Sequence, residues 1–162
     1  TILKESQFFV TWKNRLYAAW DKEFKIDVFD AKGDLVNTIR HPYKRLKVTE
    51  KMKKDVMDFF KTHPTLKNLI TRFNIKIVFP GYLPALRALI VDDGKLYGIT
   101  FDDTPNGTEV IVMNLDGSSP RKSYVKVEMQ DALQPYPTVV KGGKIYQVIE
   151  KGEDWELVIS SL

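Results

Sequence analysis

The 162-residue chain contains no cysteine and only two histidines, and no run of apolar residues is long enough for a membrane span. The absence of cysteine excludes disulfides, thiolate metal sites and a cysteine nucleophile. His41 and His63 are too few for a histidine-rich metal centre. No GxSxG, P-loop or GxGxxG motif occurs, so we expect no cofactor and no catalytic residues of those kinds.

What the chain does contain is typical of one globular domain with an unevenly charged surface. Apolar residues make up 43% of the sequence, which is enough for a sizeable core. The net charge is +4, but residues 40–76 alone carry eleven Lys/Arg against three Asp/Glu, a local balance of +8. The rest of the chain is therefore mildly acidic, with a balance of −4.

A short pattern, which we call the leucine–tyrosine frame, occurs three times: NRLYAAWDK at 14–22, GKLYGITFDD at 94–103 and GKIYQVIEKG at 143–152. Each copy has a turn residue, then Leu or Ile, then Tyr, then alternating residues. Alternating runs also precede and follow each copy. Because Gly and Asp occupy the intervening turns, the pattern predicts consecutive antiparallel strands joined by tight turns.

The spacing of the frames predicts the organisation of the domain. The last two copies lie 49 residues apart, close to the period of a propeller blade. We therefore predict one partial β-propeller domain over 1–162. It comprises a blade at 8–40, a basic helical insertion at 41–79, a blade at 80–128 and an incomplete blade at 133–162.

The third copy stops at Leu162 without an outer fourth strand, and the first residue is Thr1 rather than Met. We expect the chain to be the C-terminal part of a protein about twice its length. Three blades would leave two open flanks with apolar faces. We therefore expect pairing with the remainder of the same propeller chain or with a second copy.

The insertion contains an amphipathic helix, predicted to begin after Thr49 and to end near Thr62, before Pro64. A short second helix is predicted at 65–70. The apolar stripe of the first helix either packs onto the sheet edges or forms a face for a partner or a membrane surface. The stripe consists of Met52, Val56, Phe59 and Phe60.

The stretches FKIDVFDAKGDLV, VTEKMKKD and FPGYLPALRALIVDDGKLYGITFD resemble bacterial six-bladed β-propeller proteins of the NHL/TolB-like kind. The resemblance covers residues 8–160. It implies an all-β fold of about three four-stranded antiparallel blades with a helical insertion. Many members of that group look like exported proteins, so it also implies a periplasmic or cell-envelope location.

Related gluconolactonase-like propellers bind a divalent metal, commonly with a Pro-Asp-Gly motif. The matching place here reads Val91-Asp92-Asp93-Gly94, so we predict no metal site. Asp92 and Asp93 are interpreted as a hairpin turn rather than an acid pair, because adjacent strand residues point to opposite faces. The segment that starts at Asp102 and Asp103 partly matches a calcium loop, but its twelfth position is Met113 instead of Glu, which favours a hairpin loop.

Four basic residues are the candidate ligand contacts. Arg87 lies in an apolar segment predicted to line the axial channel, where it either pairs with a carboxylate or contacts an anionic ligand. Arg45, Lys51 and Lys54 belong to the basic insertion, whose lysines form either a solvated face or a patch for an anionic partner.

The function class that the sequence favours is a non-catalytic binding or scaffold module. One alternative is a hydrolase or lactonase-like propeller enzyme whose site needs further blades. Another is binding of an anionic polymer such as nucleic acid through the basic insertion. Few aromatic residues accompany the basic residues of the insertion. Recognition of a nucleic acid by stacking of its bases on aromatic side chains would therefore be weak.

Overall fold

The computed structural model describes residues 7–20, 22–132 and 134–162. Thr1, on which the expectation of a longer parent chain partly depends, lies outside the described residues. So do Asp21 of the first leucine–tyrosine frame and Leu133 at the start of the predicted third blade. The structure is 49% strand and 15% helix and forms three antiparallel sheets, which confirms the prediction of a mainly β fold. None of the sheets closes on itself.

The first sheet has four strands in sequence order, and each strand pairs with the next. The strands are β1 (Gln7–Trp12), β2 (Arg15–Trp20), β3 (Lys25–Phe29) and β4 (Leu35–Arg40). This up-and-down order follows from the short turns between them, which leave no room for a crossover.

The second sheet repeats this order and the third has one strand fewer. The second consists of β5 (Ala88–Asp92), β6 (Lys95–Thr104), β7 (Gly107–Asn114) and β8 (Arg121–Val125). The third consists of β9 (Thr138–Lys141), β10 (Lys144–Lys151) and β11 (Asp154–Ser161).

The turns before the second and third frames share one backbone conformation. Asp93 and Gly94 join β5 to β6 with φ of 44° and 72°, which is the left-handed pair that a two-residue hairpin requires. Gly142 and Gly143 occupy the same place before β10, with φ of 56° and 72°. The interpretation of Asp93 as a turn residue is therefore confirmed.

The second sheet packs between the other two. Each sheet has a tyrosine face, which carries the Tyr of the frame, and a leucine face, which carries the Leu or Ile before it. The tyrosine face of the first sheet packs on the leucine face of the second, through Tyr17, Ala19, Ile26, Val28, Leu89, Leu96, Ile111 and Met113. The tyrosine face of the second packs on the third sheet, through Tyr97, Ile99, Val110, Val112, Val140 and Ile145.

Two helices connect the first sheet to the second. They are α1 (Glu50–Thr62) and α2 (Pro64–Phe73). The Thr49 side chain caps α1 by accepting a hydrogen bond from the Met52 N–H, as predicted, and His63 caps α2 in the same way. Neither helix in the described part of the chain is long and apolar enough to cross a membrane.

Candidate functional site

A cavity of about 380 Å³ lies where α1 meets the second sheet, and it brings together two of the four predicted ligand contacts. Arg87 and Lys51 both line it, from segments 36 residues apart in sequence. Its volume falls in the range of small-molecule sites in proteins, which are concave and mainly apolar with a few polar groups.

The apolar stripe of α1 positions the helix over the cavity. Val56 is 2% exposed, and Met52 packs against a small buried cluster that contains Leu83 and Phe101. Burying a side chain of this size contributes about 1.5–3 kcal/mol. Packing of the stripe on a sheet, one of its two expected outcomes, is thus confirmed for Met52, which packs against the cluster that includes Phe101 of β6, and Val56 is buried.

Arg87 lies just before β5 and its side chain is only 6% exposed. Nη2 donates to the Asp103 carboxylate at 3.0 Å, and Nη1 contacts the Met129 sulfur at 3.4 Å. The guanidinium also lies 4.7 Å from the centre of the Phe101 ring. Pairing with a carboxylate, one of the two outcomes expected for Arg87, is therefore what the structure shows.

The hydrogen-bonding capacity of Arg87 is only partly used. Nε is buried and has no hydrogen-bond partner among the described residues. A thioether sulfur, the partner of Nη1, is a weak acceptor. Because an unpaired buried donor costs about 1–3 kcal/mol, this guanidinium would gain from a stronger acceptor beside it.

The other charges around the cavity are exposed or partly exposed and include acids as well as bases. Lys51 is 85% exposed and pairs with Asp55 at 3.1 Å, one turn along α1. Asp103 also accepts a hydrogen bond from the Thr108 hydroxyl at 2.6 Å. Asp131, which also lines the cavity, accepts the backbone N–H of Gln134. The cavity is therefore not a uniformly basic site.

Arg45 and Lys54 do not line this cavity. The Arg45 guanidinium stacks on the Tyr82 ring, 4.4 Å from its centre. Lys54 pairs with Asp58 on the exposed side of α1, and this hydrogen bond raises the pKa of Lys54 and lowers that of Asp58.

The lysines of α1 are largely neutralised within the helix. Lys51, Lys53 and Lys54 each pair with an acid three or four residues away on the same helix. Such pairs are typical of a solvated helix face. They leave little uncompensated charge on α1 for an anionic polymer.

A second group of titratable side chains interacts electrostatically: Glu109 of β7, Lys122 of β8, and His41 and Tyr43 after β4. Glu109 is 3% exposed and accepts hydrogen bonds from Lys122 and from the Thr100 hydroxyl. Burial, followed by the positive charge of Lys122, lowers the pKa of His41. Burial is also the main cause that raises the pKa of Tyr43 to about 12. The hydrogen-bond partners of Glu109 belong to the second sheet itself, and none of these groups lines the Arg87 cavity.

Asp92 has a structural role that its sequence context did not indicate. It is 5% exposed and accepts hydrogen bonds from Lys141 Nζ at 2.9 Å and from the Gly142 N–H at 3.0 Å. These contacts join the end of β5 to the β9–β10 turn. The hydrogen bond from Lys141, followed by that from Gly142, lowers the pKa of Asp92.

Sequence reasoning missed Phe101, Asp103 and Met129 as neighbours of Arg87. Met129 lies 42 residues from Arg87, and no spacing rule connects the two. Asp103 was considered only as part of a calcium-loop match, and a hairpin loop was favoured there. Within the described ranges, no group of three or more His, Asp or Glu side chains could hold a metal ion.

Comparison with known proteins gives no identification: no family model, no curated protein and no solved structure matches the chain.

Proposed function

We propose that this chain is a non-catalytic binding module and that the cavity beside Arg87 is its ligand site. The observation that carries the proposal is the buried guanidinium of Arg87, whose Nε has no partner among the described residues and whose Nη1 contacts only a sulfur. Such a group favours a ligand oxygen as acceptor.

The rest of the cavity indicates what kind of ligand fits. Met52, Val56, Leu83 and Phe101 provide apolar lining, while Lys51 adds a flexible positive charge at the surface. A small molecule with an apolar body and a carboxylate head matches this arrangement, because a carboxylate forms strong charge-assisted hydrogen bonds with a guanidinium.

The arrangement of the sheets supports a propeller as the scaffold of this module. β1 contacts β5 and β5 contacts β9, so the first strands of the three sheets lie side by side. Each sheet continues outward from its first strand through consecutive strands. This is the order of strands in propeller blades around an axis. We therefore propose that the three sheets are consecutive blades.

The experiment that tests the ligand site uses hexanoate and its neutral counterpart hexanamide as probes. We expect hexanoate to raise the melting temperature and to shift amide NMR signals of residues around Arg87, while hexanamide has a much weaker effect. Ala132→Phe, which fills the cavity mouth without removing a charge, should abolish the response.

Lys54→Ala provides the matched control, because Lys54 lies on the same helix but outside the cavity. It should leave the response to hexanoate unchanged. Equal responses to the acid and the amide, or signals that shift only far from Arg87, would contradict the proposed site.

The enzyme alternative receives no support from a specific observation in the described residues. The anionic-polymer alternative is weakened by the neutralised lysines of α1. Binding to an oligonucleotide that falls steeply with added salt would revive it.

A further inference from the structure

The outer side of the third sheet is an exposed apolar surface. The equivalent surfaces of the first and second sheets are each covered by a neighbouring sheet. It is the tyrosine face of that sheet, with Tyr146 at its centre, paired to Val139 on one side and to Ile159 on the other. Its exposed apolar residues are Val139, Val148, Trp155, Leu157 and Ile159. Trp155 is 66% exposed.

The two interfaces inside the chain show what covers such a face. The tyrosine face of the first sheet is covered by the leucine face of the second. The tyrosine face of the second is covered by the leucine face of the third, where Ile145 is 1% exposed. Each tyrosine face that has a neighbour therefore packs on a leucine face.

One leucine face of this chain is itself open. It is the outer side of the first sheet, where Phe9 is 60% exposed and Trp20 is 44% exposed. Phe9 pairs with Ala18, and Leu16 pairs with Phe29, so apolar side chains extend across three strands of this face. The three described sheets thus present an open tyrosine face at one side and an open leucine face at the other.

We propose that the tyrosine face of the third sheet binds the leucine face of the first sheet in a second copy of this chain. The contact is head-to-tail, because two different surfaces meet, and it repeats the packing that occurs twice within each chain. Two copies contribute six sheets, which lies within the range of four to eight that closes a propeller ring. A closed dimer would cover both open faces of both copies.

This inference concerns a different part of the molecule from the Arg87 cavity, so the two can fail separately. It is tested by the mass of the chain in solution, measured by sedimentation over a range of concentrations. The expected result is a species of twice 18.7 kDa. A monomer at all concentrations would overturn the proposal.

Two substitutions test which faces are used. Leu157→Asp alters the tyrosine face and Phe9→Asp alters the leucine face, and both residues are more than half exposed, so the fold should survive. Either substitution should weaken the dimer by at least tenfold. In a dimer of two identical variant chains, the altered face occurs in both contacts. Phe73→Asp is the control, because Phe73 is 61% exposed and belongs to α2 rather than to either sheet. It should leave the dimer intact.

Mixing the two variants distinguishes head-to-tail packing from packing of like faces. The Leu157→Asp chain retains its leucine face and the Phe9→Asp chain retains its tyrosine face, so a mixture should form a one-to-one complex through one intact contact. If third sheets packed on each other instead, Phe9→Asp alone would remain a full dimer. That result would overturn the proposal, as would a mixture that stays monomeric.

Discussion

The second and third sheets contain the same leucine–tyrosine frame, but they differ in what covers their faces. The second sheet is covered on both sides, and β7 is buried along most of its length. The third sheet is covered on one side only, and most of β11 is exposed. The frame therefore sets strand order and face direction, whereas burial depends on the neighbouring sheet.

The largest expected difference in stability between matched substitutions is at equivalent positions on the tyrosine faces of the second and third sheets. Ile99 and Val148 each follow the frame tyrosine by two residues, but Ile99 is 0% exposed and Val148 is 48% exposed. Ile99→Ala should lower the free energy of unfolding by about 2–5 kcal/mol, because it leaves a cavity in a packed interface. Denaturant titration of the chain measures this.

Val148→Ala is the matched change and should cost the isolated chain less than about 1 kcal/mol. If the proposed dimer forms, the cost of Val148→Ala should grow with protein concentration, since the face is then covered. Equal costs for the two variants in a monomer would contradict the assignment of an open third-sheet face.

The residue directly after the frame tyrosine must be small in the second sheet, whereas in the third sheet it is a large residue that forms hydrogen bonds. Gly98 lies on the leucine face of the second sheet, where an added Cβ would come within 2.7 Å of the Phe24 ring. Gly98→Ala should therefore destabilise the chain by about 1–3 kcal/mol through overpacking. Thermal unfolding measures this, with Gly81→Ala as control because an added Cβ meets nothing within 4 Å there.

The equivalent residue of the third sheet is Gln147, which is 2% exposed and fixes the loop before β9. Its amide accepts from the Glu128 N–H and donates to the carbonyls of Glu128 and Tyr136. Gln147→Met retains the volume but leaves these groups unpaired, so it should cost about 1–2 kcal/mol.

Hydrogen exchange should show the resulting loss of protection in the loop before β9 rather than in the second sheet. Loss spread evenly over both sheets would instead mean that Gln147 acts through the shared core.

The sequence was sufficient to predict the three groups of consecutive strands, the helix after Thr49 and the turn at Asp93. All of these depend on local signals: alternation, capping and left-handed turn residues. The neighbours of Arg87 could not be predicted in this way. Met129 comes from a loop between sheets, and its contact with Arg87 depends on how the second and third sheets pack.

Asp92 illustrates the same limit, because its turn context was informative and its partner was not. The residue was expected to serve only the hairpin, yet its carboxylate binds Lys141 and the Gly142 N–H of the third sheet. The third sheet has Lys141 where the second has Asp92 at the corresponding frame position. Only the packing of the second sheet on the third brings these two positions together.

The smallest expected effect is the pH dependence that Asp92 gives to the contact between these two sheets. Because the hydrogen bond from Lys141 lowers the pKa of Asp92 in the folded chain, its contribution is present above the unfolded value of about 3.9 and is lost as the pH falls through the lower folded value. Lys141 is 73% exposed, so solvent weakens the pair.

Asp92→Asn should therefore reduce the free energy of unfolding modestly at pH 7 and reduce the loss of stability on acidification. Urea titration at a series of pH values measures both effects. Asp93→Asn is the control, because it changes a neighbouring acid without removing the hydrogen bond between Lys141 and Asp92, and asparagine tolerates its φ of 44°. If both variants retain the full acid dependence of the unmodified chain, the contact between Asp92 and Lys141 does not couple the second sheet to the third.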